Sequence, residues 1–332
     1  MKILIIKLGA KGDVVRTLPV LIALKEKFPH SEITWITKKS SEEIVKSSPY
    51  INDVMVVPLN FKLGEFDAVY NFDIEKEATN LAEEVKAKKK YGFYSSDNYV
   101  LSYNLPSEYY LNTLFDDELK KLNKKTYQQM IFEIAELDYK KQHHPIYLTE
   151  HAKKYAKDFQ KNNNLFGQKL IGIHIGASKR WPSKAWHNKN ILDFIIKAKE
   201  EKYEILILSG PDETEKFFAL KKELDKRKIT FYHNEPNNSD LEFASLISIC
   251  EKIICPDSFS LHLALGLKKP TIGLFFCTSP NEIEDYNLLK KIVSPRLNDF
   301  FPEKMDQYSE DLVKSISADE VLNAIEIKNN KG

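Results

Sequence analysis

The sequence predicts an α/β protein made of two similar halves. Three observations carry that reading. The 332 residues suit two domains at about 100–200 residues each. Short apolar runs bounded by turn residues alternate with stretches of helical apolar spacing, the pattern of doubly wound sheets. The alternation fades after residue 90 and starts again near residue 170. A crevice between two such halves is where ligands bind.

Ile3 to Ile6 is an apolar run between lysines and reads as a buried parallel strand. Val14 to Phe28 has helical spacing, with Val14, Leu18, Leu21, Ile22 and Leu24 on one face and Lys25 and Glu26 on the other. Pro19 is tolerable only near the first turn, and Pro29 stops the helix. A strand at 33–37, a short helix at 41–48 and strands at 53–57 and 66–71 follow. Residues 88–150 are harder to assign: three lysines and a tyrosine-rich stretch precede helical spacing over 126–137. The polar run Lys140 to Pro145 reads as a connector, placing an N-terminal domain at 1–148.

The second domain is expected over 149–308. Its strands are read at 170–176, 204–210, 230–232, 252–255 and 271–276, the last of the series. Its helices are read at 189–202, 213–225, 241–250 and 260–267. A closing segment, 309–332, carries a helix from Ser309 to Ile327, with Ser309 a plausible N-cap ahead of Glu310 and Asp311.

Composition narrows the function classes. With 42% hydrophobic and 29% charged residues, global disorder is excluded. The 49 basic and 48 acidic residues leave a net charge of +1, which argues against a dedicated nucleic-acid binder. The lysine clusters at 38–39, 88–90, 120–121 and 124–125 fit either solvated helix faces or an anionic acceptor at a membrane. Cys250, Cys255 and Cys277 are too few and too clustered for a disulfide framework and lack zinc-site spacing. The N-terminal apolar run is too short for a signal peptide, and no stretch approaches the roughly 18 apolar residues of a spanning helix. The expected location is the cytoplasm, with peripheral membrane contact left open.

Three post-strand loops carry the polar chemistry. The first, Gly9-Ala10-Lys11-Gly12-Asp13, is neither a dinucleotide fingerprint nor a Walker A loop. Asp13 there is either a crevice-side functional carboxylate or a helix N-cap. The second, Gly176-Ala177-Ser178-Lys179-Arg180-Trp181-Pro182, offers two cations to an anion and a tryptophan wall, or is a solvated basic loop. The third, Cys255-Pro256-Asp257-Ser258-Phe259-Ser260-Leu261-His262, feeds a helix start. Free N–H groups and the positive helix end suit a diphosphate there, with Ser258 and Ser260 as hydroxyl donors. His262 is either part of that site or a half-buried structural residue.

Taken together, the loops resemble glycosyltransferase family 9, the ADP-heptose:lipopolysaccharide heptosyltransferases. Lys7 to Pro19 looks like that family's opening motif. Lys179-Arg180-Trp181-Pro182 matches its lysine–x–Trp–Pro loop, and Asp257 to Ala264 its Asp-[Ser/Thr]-Gly-x-x-His-x-[Ala/Thr] signature. Leu208 to Glu213, Lys269-Pro270-Thr271 and Thr278-Ser279-Pro280 match further segments. The resemblance spans roughly 1–330 and is weakest over 90–150. It implies a GT-B fold, two Rossmann-like domains facing across a cleft, and an inverting transfer. By matching position, Asp13 is the candidate base, and Lys179 neutralises the leaving ADP. Gly176, Ser178, Arg180, Ser209, Gly210, Asp257, Ser258, Phe259, Ser260 and His262 join Lys179 as nucleotide-sugar-binding candidates. Lys7 and Gly12 join Asp13 as acceptor-binding candidates.

The implied partners are a nucleotide sugar, ADP-heptose or a relative, as donor substrate and a lipid-linked oligosaccharide as acceptor. No cofactor is implied. The chain holds no Asp-x-Asp triplet, so no catalytic metal is expected. The sequence departs from the family where its glycines are replaced by Phe259 and by Phe276, which bears on the donor pocket. The competing expectations are a nucleotide-sugar binder with little transfer activity, a heptosyltransferase using a protein or another glycan, and a sugar-nucleotide epimerase.

Overall fold

A computed structural model of the chain describes residues 1–326. It divides into two compact units. The first comprises Met1–Tyr147 with Asn281–Glu284, and the second comprises the remainder. The short return segment joins the first unit through Glu284, which accepts from the Tyr139 hydroxyl at 2.5 Å and pairs with Lys141 at 3.1 Å.

In the first unit, strands β1 (Lys2–Ile6), β2 (Glu32–Thr37), β3 (Asp53–Val56), β4 (Phe66–Asn71), β5 (Ala87–Ser96) and β6 (Tyr99–Ser102) form one sheet in the order β3-β2-β1-β4-β5-β6. All neighbours are parallel except the final β5–β6 hairpin. Helices α1 (Lys11–Thr17), α2 (Val20–Lys27), α3 (Glu42–Lys46), α4 (Lys76–Glu84), α5 (Leu105–Phe115), α6 (Asp117–Leu122) and α7 (Tyr127–Ile134) pack around it. β1 is central because Ile3, Leu4, Ile5 and Ile6 are buried completely and pair on both sides, Ile3 with Ile33 and Ala68.

The helix expected over 14–28 is two helices. Pro19 has no N–H to donate, so α1 ends at Thr17 and Pro19 occupies the N-cap of α2. The β5–β6 hairpin lies in the stretch that resisted assignment. Gly92 makes it possible: at φ +90° it sits so close to β4 that a Cβ would lie 1.8 Å from the Asn71 carbonyl oxygen. The lysines of this region are engaged with protein groups. Lys88 pairs with Asp67, and Lys90 donates to the carbonyls of Ala82 and Glu83 at the end of α4.

The second unit contains α8 (Glu150–Asn162), β7 (Leu170–His174), α9 (Asn188–Glu200), β8 (Glu204–Leu208), α10 (Thr214–Lys226), β9 (Tyr232–His233), α11 (Asp240–Ile249), β10 (Lys252–Pro256), α12 (Phe259–Gly266), β11 (Thr271–Phe275), β12 (Leu289–Val293), α13 (Glu310–Lys314) and α14 (Ala318–Glu326). Its sheet is parallel throughout, in the order β12-β11-β10-β7-β8-β9. The core joins Ile171, Ile173, Ile205, Ile207, Ile254 and Leu274 of the strands to Phe194 and Ile195 of α9.

β11 is therefore not the last strand: β12 adds a half-buried edge whose lysines, Lys290 and Lys291, obscure it in the sequence. The single closing helix is instead α13 and α14. Between them Ser317 caps a fresh start by accepting from the Glu320 amide at 3.2 Å. Residues 327–332, with the expected end of that helix at Ile327, lie outside the described residues.

Candidate active site

The polar loops follow the C-terminal ends of parallel strands, where α/β sheets place their ligands. In the first unit, the chain leaving β1 meets the chain leaving β4. Lys7 turns inward: its ammonium donates to the Phe72 carbonyl at 2.8 Å and stands 3.3 Å from Asp73 Oδ2, both side chains only 5% exposed. The same Asp73 oxygen accepts from the Leu8 amide at 3.0 Å. Asn71 braces this turn, accepting from the Asp73 amide and donating to the carbonyls of Asp73 and Phe93. Burial works against the Lys7 charge, but the acidic groups around it, Asp73 and Asp13 among them, outweigh it and raise the ammonium well above its ordinary value.

Asp13 lies inside α1, whose N-cap is Ala10 with no side-chain cap bond. The capping alternative is thereby set aside. Oδ1 of Asp13 accepts from Arg16 Nε at 3.0 Å and lies 2.8 Å from Nη2. Oδ2 lies on the side of Gly9, where a Cβ would sit 3.4 Å from it, 3.2 Å from Asp73 Oδ2 and 3.4 Å from the Lys7 stem. Gly9 thus keeps open the ground on which two carboxylates and a lysine converge. Gly12 is half-buried in the first turn of α1. Burial also opposes the Arg16 charge, and Asp13 more than offsets it, raising the guanidinium above its usual value.

In the second unit, Gly176 follows β7 and lies against Glu213. A Cβ there would stand 2.2 Å from that carboxyl, so any other residue would displace the Glu213 side chain. Glu213 in turn accepts from the Gly210 amide at 2.8 Å, and burial pushes its carboxyl up. Ser209 is buried, its backbone held on both sides by the Asn234 amide at 2.8 and 2.9 Å. Ser178 Oγ accepts from the Arg180 amide, and the Arg180 guanidinium lies 4.7 Å over the Trp181 ring. Lys179 is 76% exposed and pairs with Asp212, whose hydrogen bond raises the ammonium.

The start of α12 is assembled differently. Ser258 is its N-cap, yet its hydroxyl makes no cap bond. It stands instead 2.8 Å from Ser260 Oγ and 3.3 Å from His174 Nδ1. No side chain therefore caps the start of α12. Burial lowers His174 to about 3, with Lys216 adding to the effect, so the imidazole is neutral. Asp257 pairs with Lys184 at 3.0 Å, and His262 Nε2 lies 3.9 Å from its other oxygen, all three side chains largely buried.

Phe259 opens the helix without a left-handed backbone, so a side chain is accommodated there without strain. Phe276 is packed in the core beside Leu274 and Cys277. The three cysteines are free and buried, with burial pushing Cys250 to about 12 and Cys277 to about 11.

The structure therefore brings Lys7 and Asp13 together with two residues the motifs left without a role, Asp73 and Arg16. It gathers Asp257, Ser258, Ser260 and His262 with His174 and Lys184, also unassigned before. Asp73 directly follows a strand end, and that position was the available signal. Lys184 lies beyond the Trp–Pro pair and had none. Among the described residues, no group of three or more His, Cys, Asp or Glu side chains converges as metal ligands do. No described helix is long and apolar enough to cross a membrane.

Comparison with known proteins agrees with this layout. The sequence model of glycosyltransferase family 9 (heptosyltransferase) matches residues 60–311. The lipopolysaccharide core heptosyltransferase OpsX of Haemophilus influenzae is 24% identical over 311 residues, covering 87% of this chain and 83% of its own. The crystal structure of a family 9 glycosyltransferase from Veillonella parvula superposes with a TM-score of 0.79 at 18% identity, covering 98% of this chain and 96% of its own. The Escherichia coli ADP-heptose lipopolysaccharide heptosyltransferase II superposes with a TM-score of 0.71 at 15% identity, covering 98% and 97%. With its motifs at the strand ends of two parallel sheets, the chain belongs to glycosyltransferase family 9 and is a glycosyltransferase of the GT-B fold.

Proposed function

We propose that this enzyme transfers a heptose from ADP-heptose to a lipopolysaccharide core acceptor, with inversion at the anomeric carbon. The observation that carries the reading is Asp13: a carboxylate at the end of the β1 loop, held by one oxygen to Arg16. In the proposed step an acceptor hydroxyl oxygen attacks the anomeric carbon from the face opposite the diphosphate. The carbon–oxygen bond to the diphosphate breaks, and its electron pair leaves with ADP. The hydroxyl proton passes to Asp13. A positioned base of this kind contributes about 10²–10⁴-fold, and the same carboxylate favours the positive charge developing on the sugar.

The charge gathering on ADP would meet the first-turn N–H groups of α12, the Ser258 and Ser260 hydroxyls, and Lys179, whose exposed pairing with Asp212 is easily exchanged. This accounting needs neither a cofactor nor a metal. The names of the Haemophilus and E. coli relatives support the sugar and the acceptor class. A lipid-linked acceptor would place the enzyme at the cytoplasmic face of a membrane as a peripheral visitor.

The test is product formation from a panel of nucleotide sugars with heptose-free lipopolysaccharide, read by mass spectrometry, with the anomeric configuration of the product assigned by NMR. ADP-heptose should be preferred, and activity should survive EDTA. Retention of configuration, or full loss of rate restored by Mg²⁺, rejects the scheme. Phe259 favours a second reading, a nucleotide-sugar binder with little transfer, because its side chain stands at the helix end the diphosphate would use. In that case ADP-heptose binds by calorimetry, no acceptor yields product, and Phe259→Gly restores turnover.

A further inference from the structure

We propose that Arg16 is a positioning residue for transfer: by holding Oδ1 of Asp13 it fixes the carboxylate that takes the acceptor proton. The proposal rests on the reading of Asp13 as the base. Two guanidinium nitrogens converge on a single carboxylate oxygen, at 3.0 and 2.8 Å. An arginine fork more often spans both oxygens of a carboxylate. Here both nitrogens meet Oδ1, and Oδ2 lies on the side of Gly9.

The arrangement is a closed circuit rather than a lone ion pair. The Arg16 guanidinium lies 3.7 Å over the ring of Tyr127, a buried residue of α7. The Thr17 hydroxyl donates to the Asp13 carbonyl at 2.7 Å and stands 2.8 Å from the Tyr127 hydroxyl. With the Thr17 proton spent on the carbonyl, the Tyr127 phenol is the donor between those two oxygens. Burial raises the Tyr127 phenol and keeps it protonated for that task. Carboxylate, guanidinium, ring, phenol, hydroxyl and carbonyl thus return to the residue they began from. Such a circuit removes the side-chain freedom that a base must lose before it can take a proton in line.

Electrostatics supply the second half of the argument. The groups facing Asp13 and its partner include Lys7, Asp73, Tyr110, Tyr127 and Glu282. Burial leaves both phenols neutral. Without Arg16, the Asp13 and Asp73 carboxylates on the side of Gly9 would lose one of the cations that offset their charge. Two like charges sharing a site disfavour joint ionisation, so the base would hold its proton to higher pH.

The experiment is steady-state kinetics across pH with ADP-heptose and heptose-free lipopolysaccharide, for the wild type, Arg16→Met, Arg16→Lys and Tyr127→Leu. Arg16→Met should lower kcat by roughly 10–100-fold, leave the donor KM within a few-fold, and move the acid limb of kcat/KM to higher pH. Arg16→Lys should restore the acid limb, because the charge returns, but only part of kcat, because the planar fork does not. Tyr127→Leu should lower kcat without moving the limb. A purely structural role would change melting temperature and leave the limb in place. Wild-type kcat and an unmoved limb in Arg16→Met overturn the proposal. Should that variant fail to fold, wild-type kcat in both Arg16→Lys and Tyr127→Leu overturns it. Asp13→Asn separates the two layers. Retained turnover in Asp13→Asn removes the base reading itself, whereas its loss beside unaffected Arg16 variants removes only the role of Arg16.

Discussion

The two units each bury an ion pair at the ends of their central strands, but they differ in what stands beside it. In the first, Lys7 and Asp73 are 5% exposed, and a second charged pair adjoins them: Arg16 is stacked on Tyr127 while holding the partly exposed Asp13. In the second, Asp257 and Lys184 also form a largely buried pair just before α12, but the helix start itself meets neutral partners, two serine hydroxyls and a His174 imidazole that burial keeps uncharged. Lys179, in the loop after β7, stands in solvent with Asp212. The difference teaches where each kind of electrostatics is useful. A proton-accepting carboxylate needs a fixed position and a charge balance that survives exclusion of water. An arriving diphosphate brings its own charge and is better met by dipoles and by a lysine that can exchange partners.

The most direct way to break the comparison is to disturb one pair in each unit. Asp73→Asn removes the ion-pair partner of the buried Lys7 and should destabilise the fold by about 3 kcal/mol. Asp212→Asn removes the partner of an exposed lysine and should leave the unfolding midpoint where it was. Urea denaturation of both variants decides the matter, and equal losses would show that burial does not distinguish the pairs. Asp13→Asn should lower turnover by ~10² or more while calorimetry with ADP finds the affinity unchanged. A loss of ADP affinity instead would move Asp13 out of the catalytic role.

Lys179→Ala should weaken ADP binding and slow transfer by several-fold, with thermal stability intact. Unchanged affinity and rate together reject a role for Lys179 at the leaving group. The smallest effect is on pH. Burial holds His174 near 3 and His144, in the first unit, near 4, below the ~6.5 of an unfolded chain. Between about pH 6.5 and those values the unfolded chain binds the extra protons. Folding stability is therefore complete above pH 6.5 and falls as the pH drops through this window. His144→Gln and His174→Gln should each flatten part of that fall, measured as unfolding free energy from pH 7.5 to 4.5. An unaltered slope in both would show that neither imidazole is the acid-sensitive group.

Local pattern carried much of the fold. The all-apolar β1, the alternation of strands with helical stretches and the loops at strand ends are all visible in the chain, as are the family motifs from Lys7 to Pro19 and from Asp257 to Ala264. The β5–β6 hairpin and β12 were hidden because edge and half-buried strands carry lysines and tyrosines in place of an apolar run. Pro19 split a helix whose periodicity continues through it.

What the sequence by itself determined is which residues stand at the ends of β1, β7, β8 and β10, because strand and loop are written in short-range periodicity. Only the tertiary structure decided which of them meet. Lys7 reaches Asp73 because β1 and β4 pair in register. Arg16 finds Tyr127 because α7 packs on α1, and Lys184 finds Asp257 across the second unit. Those contacts join residues far apart along the chain, and no local spacing encodes them. They exist because burial forces each charge to find a partner wherever the packed sheet brings one within reach.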